Sequence, residues 1–198
     1  AAFGPRPSGC IARLRELLPD ADPVDGPTVD LRFWSLNGGS PDWFRRAIPA
    51  TQWCDLRSNY PAAARADLDR LVTVERPDGD GKLVLLYGPP GTGKTTFIRS
   101  LARAWRPWAD PAYVVDPDHF FGTPGYLLSV VTDHFSDEVG DGPGALLKAP
   151  ARWKLLIIED ADELLLADAK QRSGQALSRL LNLTDGLIGE GLRVVILI

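Results

Sequence analysis

A glycine-rich octapeptide near the middle of the chain has the sequence Gly88-Pro89-Pro90-Gly91-Thr92-Gly93-Lys94-Thr95. It fits the pattern G-x-x-x-x-G-K-[ST], in which glycines let backbone N–H groups turn toward phosphates that a Cβ atom would obstruct. The lysine places a compact positive charge on the β- and γ-phosphates, and the next hydroxyl is a hard oxygen ligand for Mg²⁺. The octapeptide therefore predicts a phosphate loop that binds ATP with Mg²⁺. The predicted contacts are Gly88, Pro89, Pro90, Gly91, Thr92, Gly93, Lys94, Thr95 and Thr96.

The segments on either side of this loop have the periodicity of an α/β domain. A short apolar run before the loop is typical of a central parallel strand, and an apolar stripe with helical spacing follows the loop. Strands that alternate with helices predict an α/β three-layer sandwich with a parallel sheet, and this context distinguishes a phosphate loop from a chance glycine-rich turn. The predicted strands lie at 83–87, 113–115, 155–158 and 192–198, and the helical stripe is Ile98, Leu101, Ala102 and Trp105.

The third predicted strand ends in acidic residues, because the apolar run 155–158 is followed by Glu159-Asp160-Ala161-Asp162. We expect this strand to lie beside the loop strand, so that its carboxylates face Mg²⁺ and the attacking water. The predicted catalytic residues are Lys94, Glu159 and Asp160, and the predicted metal ligands are Thr95, Glu159 and Asp160. The alternative is that the acids begin a surface turn or helix, whose N-terminal end they would stabilise. Because Asp160 holds the second acidic position, we expect it to polarise water and Glu159 to lie nearer the metal.

The loop and the acidic strand end together resemble the AAA family of ATPases. The loop matches the AAA version of the motif, which is narrower than the general pattern. The acids at 159–160 stand in the Glu-Asp order of the mitochondrial complex III assembly ATPases and their plant relatives, whereas the commonest AAA order is Asp-Glu. The helix at 177–187, with its Asp185-Gly186, is also similar to theirs. An uncharacterised group of bacterial AAA proteins with a Trp-rich N-terminal segment is a second resemblance.

The resemblance covers roughly 53–198 and implies the large subdomain of an AAA ATPase. It implies a protein-remodelling motor that uses ATP and Mg²⁺ and works as a homo-oligomeric ring, such as a hexamer, on a client protein that the sequence does not identify. Sensor 1, the arginine fingers and the helical lid are expected after Ile198. Because the chain stops within the apolar run 192–198, we expect a C-terminally truncated piece. A nucleotide-dependent switch or scaffold with little hydrolysis is the alternative, and a small-molecule kinase, which Asp185-Gly186 disfavours, is a third.

The N-terminal residues 1–52 are expected to form a small accessory α+β region before the ATPase subdomain at 53–198. Four aromatic residues crowd the end of this region and its boundary with the subdomain, and we interpret them as a small hydrophobic cluster, with an aromatic binding platform as the alternative. A loop at 77–81, rich in aspartate and glycine, is expected to precede the main α/β elements. The four aromatic residues are Trp34, Trp43, Phe44 and Trp53.

An aromatic pair, Phe120-Phe121, precedes Gly122 shortly after the second predicted strand. In the AAA motors that the chain resembles, an aromatic-apolar-glycine segment at this place grips the client in the central pore. The sequence therefore raises the expectation of a pore-facing loop. The alternative is that both rings pack beneath the loop.

Composition excludes several other classes. The 198 residues carry a net charge of −4, which gives no general attraction to nucleic acid or anionic membranes. Cys10 and Cys54 form no C-x-x-C and are expected to be reduced thiols, and two isolated histidines, His119 and His134, argue against a zinc site. The sequence contains no signal-peptide pattern and no apolar run long enough to span a bilayer, so we expect a cytoplasmic protein without a membrane anchor.

Overall fold

A six-stranded sheet carries the fold in the computed structural model, which describes residues 26–77, 82–133, 152–159 and 193–198. Its strands are β1 (Thr28–Asn37), β2 (Ser40–Pro49), β3 (Lys82–Val84), β4 (Ala109–Val114), β5 (Trp153–Ile157) and β6 (Val194–Leu197). The helices are α1 (Trp53–Leu56), α2 (Ala62–Val72), α3 (Lys94–Trp105), α4 (Pro117–Gly122) and α5 (Pro124–Thr132), and a 3-10 turn at Arg57–Asn59 joins α1 to α2.

The strand order is β2-β1-β4-β5-β6-β3, and every neighbouring pair is parallel except the β1–β2 hairpin. The sheet is therefore mixed and mostly parallel, which confirms the predicted α/β class. The phosphate loop follows β3, and the acidic residues follow β5. Between these two strands lies β6, so the expectation that they are neighbours is wrong. All four residues of β6 are buried, and such a strand is stable only with a pairing partner on each side.

Helices cover both faces of the sheet, as a three-layer sandwich requires. On one face α1, α2 and α3 enclose a core that includes Phe97, Leu101, Leu155 and Leu197. On the other face α4 and α5 pack on the sheet around Phe120, Val130, Leu156 and Ile196. The predicted stripe of α3 is confirmed, because all four of its residues are buried: Ile98, Leu101, Ala102 and Trp105.

The predicted accessory region is residues 1–52, and its described part, from residue 26 onward, adds β1 and β2 to the same sheet. β1 pairs in parallel with β4, where Phe33 lies opposite Tyr113, and Gly38 and Gly39 turn the chain back into β2. The four aromatic residues do not form one cluster. Trp34 is buried with α4 and α5, Trp53 packs on the α3 side, and Trp43 and Phe44 are about half exposed on opposite faces of β2. The period-2 alternation of side chains along β1 and β2 explains this separation.

The aromatic pair after β4 is buried and does not face a pore. Phe120 is 0% exposed and Phe121 is 5% exposed, and both belong to the short helix α4. The ring of Phe120 lies edge-on to Tyr126 at 5.8 Å between centroids. The pore-loop expectation is therefore wrong, and the alternative of packed rings holds, because these side chains fill the core between α5 and the sheet. Among the described helices, none is long and apolar enough to cross a bilayer.

Candidate nucleotide-binding site

The phosphate loop adopts a backbone conformation that is favourable at two positions because both are glycines. Gly91 and Gly93 have φ angles of 79° and 90°, in the left-handed region that L-residues with a Cβ rarely adopt. Gly93 is also the residue that precedes the first turn of α3, and its carbonyl accepts the first bond of that helix from Phe97 N–H at 2.9 Å. The loop thus ends on a helix N-terminus, where free N–H groups and the helix dipole favour an anion.

Lys94, the first residue of α3, folds back over the loop. Its ammonium donates to the carbonyl oxygens of Gly88 at 2.6 Å and Pro89 at 3.3 Å. The Thr92 hydroxyl donates to the same Pro89 carbonyl at 2.8 Å and so closes the loop from within. The positive charge of Lys94 is therefore held inside the curve of the loop, which is the position that recognition of phosphate requires.

The second residue of α3 meets the acidic end of β5. The Thr95 hydroxyl donates a hydrogen bond of 2.5 Å to Glu159 Oε1. A hydroxyl and a carboxylate oxygen in contact are hard oxygen donors, so this pair fits Mg²⁺, which takes few protein ligands and completes its shell with water and phosphate oxygens. Of the three predicted metal ligands, the structure brings these two together, and Asp160 lies outside the described residues.

A cleft of about 480 Å³ lies over these groups, a volume within the usual range for small-molecule sites. Seven of the nine predicted phosphate contacts line it, together with Glu159. Pro89 and Thr92 face each other within the loop instead. Four apolar residues that the sequence reading did not assign to the site also line the cleft: Leu86, Ile98, Ile158 and Ile198. The seven lining contacts are Gly88, Pro90, Gly91, Gly93, Lys94, Thr95 and Thr96.

Tyr60 is a residue at this site that the sequence reading missed. Its hydroxyl donates to the Gly93 carbonyl at 2.8 Å, and the side chain is 8% exposed. A Cβ added to Gly93 would lie 2.9 Å from that hydroxyl. Because the two residues are 33 positions apart and no motif contains Tyr60, nothing local in the sequence indicates the contact.

Two aromatic residues pack on the ring of Tyr60, and one of them is itself hydrogen-bonded. Its ring packs at 5.2 Å from Trp53 and at 6.3 Å from Phe97 of α3, measured between centroids. The indole N–H of Trp53 donates to Asp69 at 2.8 Å, and the Arg57 guanidinium binds the same carboxylate at 2.7 Å. The hydrogen bonds from Arg57 and from Trp53 lower the pKa of Asp69 to about 2. The polar groups of the two stacked rings, the Tyr60 hydroxyl and the Trp53 indole N–H, therefore each have a hydrogen-bond partner.

Comparison with known proteins agrees with this geometry. The model of the ATPase family associated with various cellular activities (AAA) matches residues 84–198, which is more than half of the chain. Three similar relatives are mitochondrial Lon protease homologues. The one from Homo sapiens is 29% identical over 116 residues, which cover 56% of this chain and 11% of that protein. The one from Drosophila melanogaster is 30% identical over 111 residues, 53% of this chain and 10% of that protein.

The third relative, from Scheffersomyces stipitis, is 32% identical over 112 residues, which cover 54% of this chain and 9% of that protein. The matched segments thus span about a tenth of the length of these relatives. The family match confirms the broad AAA expectation, whereas the narrower likeness to the complex III assembly ATPases stays a prediction. With a phosphate loop, a Thr–carboxylate pair and a family match over the same residues, this chain belongs to the AAA family of ATPases.

Proposed function

We propose that this chain is a Mg²⁺-dependent ATPase whose reaction takes place in the cleft beside the phosphate loop. The observation that carries the proposal is the contact between Thr95 and Glu159, which joins the start of α3 to the acidic end of β5 in the cleft that Lys94 also lines. Membership of the AAA family supports the same activity.

Each side chain has one role in this proposal. The loop N–H groups and the start of α3 bind the α- and β-phosphates, and Lys94 exchanges its carbonyl partners for the β/γ-phosphate oxygens. Thr95 and Glu159 hold Mg²⁺, which supplies charge neutralisation at the phosphates. The Thr95 contact supports the assignment of Glu159 to the metal side, and this leaves Asp160 as the group that orients and polarises water.

We further propose that the protein works as a protein-remodelling motor in a homo-oligomeric ring, such as a hexamer. The family and the Lon relatives support this role, and the client protein is unidentified. A nucleotide-dependent switch or scaffold is the alternative, because the Glu-Asp order at 159–160 differs from the commonest order in the family that the sequence resembles.

Steady-state ATP turnover by the full-length protein tests the proposal. Phosphate release that requires Mg²⁺, with a turnover rate per subunit that rises with protein concentration as ring assembly predicts, supports the motor. Tight ATP binding without turnover, in a protein shown to be assembled, supports the switch instead. Transfer of the γ-phosphate to a metabolite, with no free phosphate released, contradicts both.

A further inference from the structure

A second pocket lies at the opposite end of the sheet from the phosphate loop. It has a volume of about 410 Å³ and is formed where β4 and β5 begin, against β1 and β2. In parallel strands the starts of β4 and β5 lie at one edge, and the ends that face the loop lie at the other. Nothing in the ATPase chemistry proposed above uses this pocket.

The pocket lining is rich in basic side chains although the chain as a whole is acidic. Its lining includes five basic side chains and two acidic ones, in a chain of net charge −4. Three of the five already contact a carboxylate within the protein: Arg32 and Lys154 contact Asp133, and Arg152 contacts Asp110. In the parts of the chain that the structure describes, no carboxylate lies within ion-pair distance of Arg45 or Arg106. The basic residues are Arg32, Arg45, Arg106, Arg152 and Lys154, and the acidic ones are Asp30 and Asp110.

Two of these cations lie directly opposite each other. Arg32 of β1 is the cross-strand partner of Arg45 of β2, an arrangement that destabilises a sheet unless something compensates the like charges. Both guanidinium groups lie near the ring of Trp43, at 4.4 Å and 5.7 Å from its centroid, and Arg32 also pairs with Asp133. The Trp43 ring thus contacts both cations beside the pocket without lining it.

Lys154 is the buried member of the group, at 3% exposed. Its ammonium donates to the Val130 carbonyl at the end of α5 and lies 3.9 Å from the Asp133 carboxylate. Burial of the ammonium, followed by the positive charge of Arg32, lowers the pKa of Lys154 to about 7. Burial of a cation carries an unfavourable desolvation free energy, and an anion bound beside it would offset part of that free energy.

One further arginine of the pocket lining is held in place by hydrogen bonds within the protein. Arg152 donates from Nε to Asp110 at 2.8 Å, and from its other nitrogens to the carbonyls of Arg106, Pro107 and Ala109. The bond to the Arg106 carbonyl fixes the backbone at Arg106 beside the pocket. The neighbouring Ala112, on the floor between β1 and β5, is too small to fill the space.

From this juxtaposition we propose that the pocket binds a small phosphate-bearing ligand, separate from the nucleotide in the phosphate loop. Arg45 and Arg106 both line the pocket, and each planar guanidinium can donate two parallel hydrogen bonds to a pair of phosphate oxygens. The pocket has the volume of a small-molecule site rather than the length of a nucleic-acid track.

Pyrophosphate binding, measured by calorimetry, tests this proposal. The titration uses full-length protein that carries Lys94→Ala, so that the phosphate loop does not compete for the probe. We expect saturable binding with one site. Adding Arg45→Gln or Arg106→Gln should weaken it about tenfold each, since each removes one charge-assisted phosphate contact.

Arg46→Gln is the matched control. It removes the same charge from the next residue of the same strand, but Arg46 lies opposite Leu31 on the other face of β2. We expect its affinity to stay within about twofold of the parent, because an exposed charge outside the pocket is screened. Equal losses from Arg45→Gln and Arg46→Gln would overturn the site, since they would indicate general charge attraction.

Lys154→Met separates binding from folding. We expect this variant to lose pyrophosphate binding while its ligand-free melting temperature does not fall. Absence of any binding to the parent overturns the proposal. Binding of single-stranded oligonucleotides that tightens with length, in place of pyrophosphate, also overturns it, in favour of an extended nucleic-acid surface.

Discussion

The Tyr60 hydroxyl donates a 2.8 Å hydrogen bond to the carbonyl oxygen of Gly93, the last glycine of the phosphate loop. The same carbonyl accepts the first helical bond of α3, from Phe97 N–H at 2.9 Å. Tyr60 therefore connects the aromatic stack over α1 and α2 to the point where the loop becomes a helix. A backbone atom held from two directions moves little, and a preformed loop loses less conformational entropy when it binds phosphate.

Removal of this one hydroxyl should loosen the loop without creating a cavity. In Tyr60→Phe the ring still packs against Trp53 and Phe97, and the lost hydrogen bond should lower the free energy of unfolding by about 0.5–1.5 kcal/mol. We expect ADP affinity to fall in the same variant. Tyr87→Phe is the control, since Tyr87 is 94% exposed and removal of its hydroxyl should change neither quantity. Equal effects in both variants would contradict the role of Tyr60.

Substitution of alanine for Gly91 and for Gly93 should lower the free energy of unfolding by different amounts. Gly91 and Gly93 both have positive φ, so each substitution strains the backbone by about 1–3 kcal/mol. At Gly93 the new Cβ also meets the Tyr60 hydroxyl at 2.9 Å, whereas at Gly91 nothing lies within 4 Å. Urea unfolding should therefore show a larger loss for Gly93→Ala. Combining it with Tyr60→Phe should recover part of the difference, and strict additivity would indicate that the two residues do not interact.

Lys94→Ala should abolish measurable ATP binding. Lys94 is the cation held inside the curve of the loop, and a charge-assisted contact is worth roughly 1.5–3 kcal/mol, so loss of two such contacts weakens binding about 10²-fold or more. Titration with a fluorescent ATP analogue measures this. Arg99→Ala, which removes an exposed cation from the same helix outside the cleft, should bind as the parent does. Unchanged affinity in folded Lys94→Ala would refute the assignment.

Local patterns in the sequence predicted the loop, the helix after it and the α/β class, because each depends on residues that are close in sequence. The glycines and Lys94 of 88–95 have their roles in the loop backbone itself, and the stripe of α3 follows from a helical period. The strand order was not predicted, since β6 enters between β3 and β5 through pairings such as Leu83 with Ile196. No local pattern contains that information.

Two further errors have the same physical origin. The pair Phe120-Phe121 carries no local signal that separates a pore loop from a core, and only its packing against α5 and the sheet decides between them. Tyr60 acts through a contact across 33 residues, so it is visible only after folding. Lys154, the second residue of β5, lies just before the predicted strand 155–158, so the apolar run did not indicate that this lysine is buried.

The two acids after β5 should respond differently to neutralisation. Glu159 contacts Thr95, so Glu159→Gln should weaken Mg²⁺ binding and raise the Mg²⁺ concentration needed for turnover. Asp160→Asn should still bind ATP and Mg²⁺ but hydrolyse far more slowly, because an amide cannot accept the proton of water. Binding and single-turnover rates separate the two effects. If Glu159→Gln traps ATP while Asp160→Asn does not, the two roles are reversed.

Lys154 should make the stability of the protein depend on pH above neutrality. Burial lowers the pKa of Lys154 from its ordinary 10.5 to about 7, with Arg32 acting in the same direction and Asp110 against it, while Asp133 lies 3.9 Å away. Between these two pKa values the unfolded chain holds a proton that the folded chain has released. The free energy of unfolding therefore rises with pH from about 7, by at most about 1.4 kcal/mol per pH unit.

Urea unfolding at pH 7 and pH 9 measures this slope, below the range in which tyrosines titrate. Lys154→Met should remove it and raise the stability at pH 7, because a buried ammonium is replaced by an apolar side chain of similar length. Lys94→Met, which changes a less buried lysine at the other end of the sheet, should keep the slope of the parent protein. A parent protein whose stability falls or stays constant between pH 7 and pH 9 would contradict the lowered pKa, because only a proton released on folding gives a positive slope.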